Sequence, residues 1–372
     1  MSEVDVDVNE EFDVGGFRDK QDEKKQSGYI TMKISPEIFE ELGVRDPEQI
    51  KLETAIMKKT RQLKKELRTD PDNLDKQIEL ATLYLDGGNY EDSIKALRHV
   101  INRDPKKSRA YKVIGTAYAL SDQEDEALRE LNRAAELAPD DPEIHFNLGG
   151  VYLLQDLYES ATREFETVVK LDPTDTTGYA NLAATFGLQK MHWEEIRVLK
   201  KVLMFEPENK ELRAALGNAY YNEGMFDEAL TCALCVVELD DKDTEAYCNL
   251  GSIYAAQEMV EDAITSFKKA SDLDPEYSMP HTNLGSLYGS LGRIESAIKE
   301  FKKATSLNPN DAQAWLALHH SYKEIGRLDD SSKAYSKYND LISETPKGGE
   351  GAKEFSGVPG GVSKDAQTSA NE

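Results

Sequence analysis

A spacing of 34 residues between prolines is the feature that most restricts how this chain can fold. The prolines in register are Pro71, Pro105, Pro139, Pro173, Pro207, Pro275 and Pro309. One marker is missing, because Asp241 stands where another proline would fall. A fixed period of this length is typical of architectures in which each repeated unit packs mainly on its neighbours. The spacing therefore predicts an array of like units instead of one central core.

A small residue and an aromatic residue recur three positions apart in these units. The small residues are Ala81, Gly115, Gly149, Ala183, Gly217, Gly251 and Gly285. The aromatic residues are Tyr84, Tyr118, Tyr152, Phe186, Tyr220, Tyr254, Tyr288 and Tyr322. Positions three apart share one face of a helix. We expect a first helix whose small residue lets a second helix approach closely, while the aromatic ring fills the space beside it.

A second helix is indicated by apolar pairs four residues apart, the spacing of a buried helix stripe. Its small residues are Ser93, Ala127, Ala161, Ala229, Ala263 and Ala297. Its large residues are Leu97, Leu131, Phe165, Leu199, Phe267 and Phe301. Gly88, Gly224, Gly292 and Gly326 lie between the two helices, where a chain reversal needs positive φ, and the following proline ends the unit. Each unit therefore predicts a helix, a turn and a second helix.

The segments NLGGVY (147–152), NLGSIY (249–254) and NLGSLY (283–288) resemble the tetratricopeptide-repeat family. The resemblance implies an all-α, right-handed superhelical solenoid of about eight repeats. The repeats would begin at residues 74, 108, 142, 176, 210, 244, 278 and 312. Glu195, Asp241, His319 and Ser331 depart from the family pattern and are expected to weaken single joints.

Four segments follow from this register. Residues 1–45 form an acidic, largely disordered arm that contains a short apolar segment, 29–42, and residues 344–372 form a disordered tail. Residues 46–70 predict an N-terminal helix, a degenerate repeat or cap, and 74–343 hold the eight repeats. Segment 29–42 has three open roles: it caps the solenoid, occupies its own groove, or binds a neighbouring copy.

The charge balance disfavours several classes of partner. Asp and Glu number 70 against 45 Lys and Arg, so the formal net charge is −25. Such a surface repels phosphate backbones and anionic lipids, so we expect no nucleic acid and no membrane as partner. The sequence also lacks the roughly 18 consecutive apolar residues of a membrane span and a basic leader. Three cysteines fit a reducing compartment, so a cytoplasmic location is expected.

No motif of a catalytic or cofactor site appears in the sequence, which predicts that the protein is not an enzyme and has no cofactor. Cys232, Cys235 and Cys248 lie on two neighbouring predicted helices, and a fourth ligand is not obvious. Burial as small apolar residues is the favoured interpretation. A metal or redox regulator that uses this cluster stays as an alternative.

An asparagine recurs at one phase of the first helix, at Asn147, Asn181, Asn249 and Asn283. The family resemblance implies that this phase lines the concave inner surface. A carboxamide both donates and accepts, so it can pair with the N–H and C=O of an extended backbone. These residues predict a peptide-binding groove, although Ala215 interrupts the series. Bonding between adjacent repeats is the other interpretation of the same asparagines.

Acidic residues precede the asparagine phase by four positions. Glu143, Glu211 and Glu245 would make the groove attract a basic or neutral ligand. The sequence thus predicts a non-enzymatic scaffold or adaptor that holds an extended or helical segment of a partner protein. The alternative is a self-assembling, homo-oligomeric structural protein in which 29–42 inserts into a neighbour's groove.

Overall fold

The computed structural model describes residues 47–344, with side chains for 54–343. Seventeen α-helices and no β-strand occupy this part of the chain. Two compact units are distinguished, Met1–Lys59 and Thr60–Glu372. In the first unit, the described residues are helical and belong to α1, Pro47–Thr69, which continues into the second unit. The predicted arm, 1–45, lies outside the described residues, as does the predicted tail, 344–372, apart from Glu344, which is the last residue of a helix.

The sixteen helices after α1 form eight consecutive pairs, one for each predicted repeat. The first helices are α2 (Leu74–Asp86), α4 (Ser108–Ala119), α6 (Pro142–Leu154), α8 (Thr176–Leu188), α10 (Lys210–Asn222), α12 (Thr244–Ala256), α14 (Met279–Ser290) and α16 (Ala312–Glu324). The second helices are α3 (Tyr90–Arg103), α5 (Glu124–Leu137), α7 (Tyr158–Leu171), α9 (His192–Val202), α11 (Phe226–Leu239), α13 (Val260–Leu273), α15 (Ile294–Leu307) and α17 (Leu328–Glu344). The predicted helical-repeat solenoid is confirmed.

Side-chain caps start most of the first helices. Asp175 Oδ1 accepts the backbone N–H of Gly178 at 3.1 Å, and Asp243 Oδ1 accepts that of Ala246 at 2.9 Å. Asn73, Asn209 and Asp311 make the same bond to the third residue on, and Asp141 accepts the N–H of the second, Glu143. Each cap satisfies a backbone donor that the helix itself leaves unpaired. In these six repeats the Asp or Asn before the first helix therefore sets where that helix begins, whereas Lys107 and Ser278 precede α4 and α14 without a side-chain cap.

The small residues of the first helices lie against large side chains of the second helices. A Cβ added to Gly251 would lie 2.6 Å from the ring of Phe267, and one added to Gly285 would lie 2.6 Å from Phe301. In repeat 5 the packing is looser, because a Cβ at Gly217 would meet Cys232 Cβ at 3.1 Å. The interhelical distance is thus set by a small residue facing a large one, as the sequence predicts.

The turns between paired helices all reverse through one left-handed residue. The four predicted glycines have φ of 72° to 74°. In the other four repeats the same position is held by Asp122, Asp156, Lys190 and Glu258, with φ of 55° to 61°. A side chain there costs roughly 1–2 kcal/mol relative to glycine. Packing of the hairpin thus imposes the turn even where the sequence does not favour it.

The pairs of unit Thr60–Glu372 stack so that first helices face one another. Among helices that do not follow each other in the chain, the substantial contacts are α2 with α4, α4 with α6, α10 with α12, α12 with α14, and α14 with α16. All of these are first helices of adjacent repeats. The first helices therefore lie on the inner side of the stack. Between residues 47 and 344, no helix combines the length and apolar character needed to cross a membrane.

Candidate functional site

In repeat 3 the predicted asparagine faces the preceding repeat. Asn147 Nδ2 donates to Thr116 Oγ1 at 2.9 Å, which joins the first helices of repeats 3 and 2. Glu143, Asn147 and Gly150 fall at intervals of four and three residues, so they form one stripe of α6. This stripe lies on the side where first helices meet.

Two of the four predicted asparagines have a bonded amide donor. Asn147 bonds to Thr116, and Asn181 Nδ2 donates to the carbonyl of Thr177 one turn earlier at 2.9 Å. In repeats 3 and 4, the carboxamide nitrogen is therefore engaged inside the protein. The Oδ1 atoms of these two residues accept no hydrogen bond from the described residues.

The other two asparagines, Asn249 and Asn283, make no side-chain hydrogen bond within the described residues. Asn283 is only 7% exposed. Its carboxamide atoms are not among the fully buried side-chain atoms without a partner in the described residues, so they remain accessible. The nearby hydroxyls of Ser252 and Ser286 each donate to a carbonyl of their own helix at 3.0 Å, and neither accepts from these amides within the described residues. The amides of repeats 6 and 7 are thus available to a ligand.

Asn218 belongs to the same surface, although sequence reasoning missed it. It occupies in repeat 5 the position that Thr116 occupies in repeat 2, and it precedes Asn249 as Thr116 precedes Asn147. Its half-buried side chain makes no hydrogen bond within the described residues. The sequence signal that could have found Asn218 is its position in the repeat. Gly150, Ala184, Ser252 and Ser286 occupy the same position in their own repeats. We call Asn218, Asn249 and Asn283 the amide row.

The three predicted glutamates differ in their surroundings. Glu143 is paired with the buried Lys112, whose Nζ also lies 3.0 Å from Asp141 Oδ2. Glu211 and Glu245 are exposed and form no ion pair with the described residues. Negative charge available to a ligand is therefore concentrated in repeats 5 and 6, beside the amide row.

Two thiols of the cysteine cluster are buried and kept in the protonated form. Burial raises the pKa of Cys232 to about 11 and the pKa of Cys248 to about 12. The thiolate, which is the nucleophile and metal ligand, is therefore scarce at neutral pH. In the described part of the chain, no three His, Cys, Asp or Glu side chains lie together as a metal-binding group would require.

Family models match much of the repeat region. Models described as tetratricopeptide repeat match residues 53–112, 142–175 and 244–277. A model described as TPR repeat matches residues 115–156 and 285–326. Together these matches cover more than half of the chain. No curated protein sequence matches the chain.

Solved structures provide a comparison at the level of the fold. The C-terminal part of a TPR repeat-containing protein from Cytophaga hutchinsonii aligns with 65% of this chain and 99% of its own at 16% identity and a TM-score of 0.55. YrrB, described as a TPR protein with an unusual peptide-binding site, aligns with 50% of this chain and 96% of its own at 23% identity and a TM-score of 0.46. MamA from Desulfovibrio magneticus aligns with 45% of this chain and 96% of its own at 23% identity and a TM-score of 0.43. The first of these supports the fold alone.

Proposed function

Because this chain belongs to the tetratricopeptide-repeat family, whose repeats generally mediate protein–protein interaction and scaffolding, we propose that it is a non-enzymatic adaptor. Its inner groove would hold an extended or helical segment of a partner protein. The amide row in repeats 5 to 7 would supply the main contacts to the partner's backbone. Asn147 and Asn181 would contribute mainly as acceptors through Oδ1, since one of the two N–H donors of each is engaged within the protein.

The observation that carries this proposal is the carboxamide of Asn283, which has no hydrogen-bond partner among the described residues and stays accessible. The residue is only 7% exposed, its carboxamide makes no hydrogen bond within the described residues, and its two polar atoms are not among the fully buried ones. A peptide N–H and C=O would satisfy both at once. Asn249 repeats the arrangement one repeat earlier, so a single bound segment would meet two carboxamides in succession.

Charge supports a basic or neutral segment as the ligand. Glu211 and Glu245 stand unpaired near one end of the amide row, and the whole chain carries a formal charge of −25. Charges of opposite sign on a partner would speed association and fix its direction in the groove. The proposal also includes a cytoplasmic location and no cofactor. The homo-oligomeric alternative rests on 29–42, which lie outside the described residues.

Affinity capture with matched variants tests the adaptor proposal. Tagged wild-type protein, Asn249→Ala/Asn283→Ala and Asn132→Ala are incubated with native lysate, and recovered proteins are quantified by mass spectrometry. Asn132 is an exposed asparagine on the second helix α5 and serves as the control. Partners that bind in the groove should be depleted at least about fivefold by the double variant and unaffected by the control. Equal recovery of every partner by all three proteins contradicts the proposal.

A further inference from the structure

Three leucines in consecutive repeats are exposed at one phase of the first helix. Leu120, Leu154 and Leu188 are 54%, 62% and 56% exposed and are separated by 34 residues each. Each is the last residue of its first helix or follows it directly. Isolated exposed leucines are ordinary, but a row of them in register is a contiguous apolar surface. Repeats 1 and 5 to 8 have Asp86, Asn222, Ala256, Ser290 and Glu324 at this phase.

Neighbouring turn residues extend this surface. Leu157 and Met191 directly precede α7 and α9 and are also exposed. Trp193, in the first turn of α9, is 60% exposed. We call these six residues the apolar edge: Leu120, Leu154, Leu157, Leu188, Met191 and Trp193.

Hydrogen bonds between repeats place these turns side by side. Gln155 Nε2 in the turn of repeat 3 donates to Asp125 Oδ1 at the start of α5 in repeat 2, at 3.3 Å. Gln189 Nε2 in the turn of repeat 4 donates to Thr162 Oγ1 on α7 in repeat 3, at 2.8 Å. The three turns are therefore stacked in order, so their exposed side chains form one edge of the solenoid.

Trp193 departs from its own repeat register. The corresponding residue in every other repeat is acidic, as the sequence shows at Glu91, Asp125, Glu159, Asp227, Glu261, Glu295 and Asp329. An acid suits the first turn of a helix because it interacts favourably with the helix dipole. In repeat 4 that benefit is replaced by an exposed indole, the side chain most enriched at the centre of binding interfaces. The tryptophan has no packing reason to be there, since its ring is mostly in solvent.

Acidic side chains border the apolar edge. Asp122, Asp125, Asp156 and Glu159 lie in the same turns or the first turns of the following helices, and Lys190 is the single cation among the turn residues of repeats 2 to 4. A second copy of the chain that used this same edge in a two-fold contact would bring like charges together. A partner with apolar side chains flanked by Lys and Arg would match both the edge and its border.

We propose that the apolar edge of repeats 2 to 4 binds a basic amphipathic helix of another protein. Packed helices such as α4 and α6 lie about 8–10 Å apart, and seven residues of a helix advance about 10.5 Å. A partner helix with one apolar residue every two turns would therefore place successive side chains on successive repeats. This surface is separate from the amide row, which lies in repeats 5 to 7, and the proposal does not depend on it.

A designed peptide provides the probe. The probe is a fluorescein-labelled helical peptide of about 18 residues. It carries Leu at every seventh position, a second Leu or Phe one helical turn from each of these, and Lys on the remaining face. Its controls are the same peptide with Glu for Lys and a scramble that keeps the composition but has no apolar face. Binding to the full chain is followed by fluorescence anisotropy at low and moderate salt. In Trp315→Phe, Trp193 is the remaining tryptophan of the chain's two, and its emission reports contact directly.

The structure predicts a distinct pattern across variants. Leu154→Ser/Leu188→Ser and Trp193→Asp should each weaken binding of the basic peptide at least about tenfold, and Asp122→Asn/Glu159→Gln should reduce its salt dependence. Leu328→Ser is the matched control, since Leu328 is an exposed leucine in repeat 8, and it should bind normally. Asn249→Ala/Asn283→Ala should also bind normally, which separates this proposal from the groove.

Three outcomes would overturn the proposal. One is equal binding of the scrambled or acidic peptide, and another is unchanged binding by both edge variants while their circular dichroism shows an intact fold. The third is a concentration-dependent mass of the protein alone that Leu154→Ser/Leu188→Ser abolishes, which would identify a second copy as the occupant.

Discussion

Lys112 Nζ lies 3.0 Å from Asp141 Oδ2, so a buried cation of repeat 2 is paired with the residue that caps the first helix of repeat 3. Glu143 joins the same cation. The joint therefore links the position of one hairpin to the start of the next. It also explains why Glu143, an expected groove acid, has less charge to offer a ligand than Glu211 or Glu245.

Removing this cation should destabilise the stack locally. Lys112→Met leaves two carboxylates close together without a counter-charge, and we expect it to lower the free energy of unfolding by about 1–3 kcal/mol. Urea denaturation followed by circular dichroism measures the change. The control is Lys107→Met, because the Lys107–Asp75 pair is more exposed and should contribute nothing measurable. Equal effects of the two substitutions would contradict the role of burial.

The small residue of the first helix should tolerate alanine in some repeats and not in others. Gly251→Ala places a Cβ 2.6 Å from the Phe267 ring and should cost about 1–3 kcal/mol despite the better helix propensity of alanine. Gly217→Ala meets Cys232 at 3.1 Å and should be neutral or slightly stabilising. Thermal denaturation of both variants checks the difference. Similar melting temperatures would show that the facing side chain does not set the interhelical distance.

The left-handed turn residues offer a stabilising substitution. Glu258 has φ of 61°, so Glu258→Gly should raise the free energy of unfolding by about 1 kcal/mol through relief of backbone strain. The mirror change Gly292→Glu, at φ of 72°, should lower it by a similar amount. Denaturant midpoints measured in parallel test both directions. If both variants moved stability the same way, strain at this position would not be the cause.

Glu195 should make stability depend on pH. Burial raises the pKa of Glu195, while the hydrogen bond from His192, at 3.0 Å, opposes the shift in part. The folded state therefore holds this proton more tightly than the unfolded state, so stability falls as pH rises above the unfolded pKa. Glu195→Gln should be more stable than wild type at pH 7 and lose that advantage near pH 4. The neighbouring Glu194→Gln serves as control, and a difference between Glu195→Gln and wild type that stays constant with pH would contradict the prediction.

Much of the fold was predictable from spacing because its determinants are local. The small residue and the aromatic residue three positions later share a helix face, and an Asp or Asn caps six of the eight first helices. The left-handed turns at Asp122, Asp156, Lys190 and Glu258 were not predictable from residue type, since hairpin packing imposes that conformation. The sequence also could not show that Glu195 is accommodated beside Gly187, whose added Cβ would lie 3.0 Å from the carboxylate.

The site was less predictable because its properties arise between repeats. The partner of Asn147 is Thr116, 31 positions away on another hairpin, whereas Asn283 has the same phase and no partner among the described residues. Identical residues at identical phases thus differ in what they can offer a ligand. Lys112 distinguishes Glu143 from Glu211 and Glu245 in the same way.

The amino-acid sequence by itself determined the repeat and the pair of helices in each unit, because these depend on contacts within one hairpin. The tertiary structure decided which carboxamides are bonded within the protein, which glutamates are paired and which leucines stay in solvent. These properties depend on the side chain that the next hairpin presents. The 34-residue period repeats the backbone geometry, but the side chains that adjacent hairpins present to each other differ from repeat to repeat.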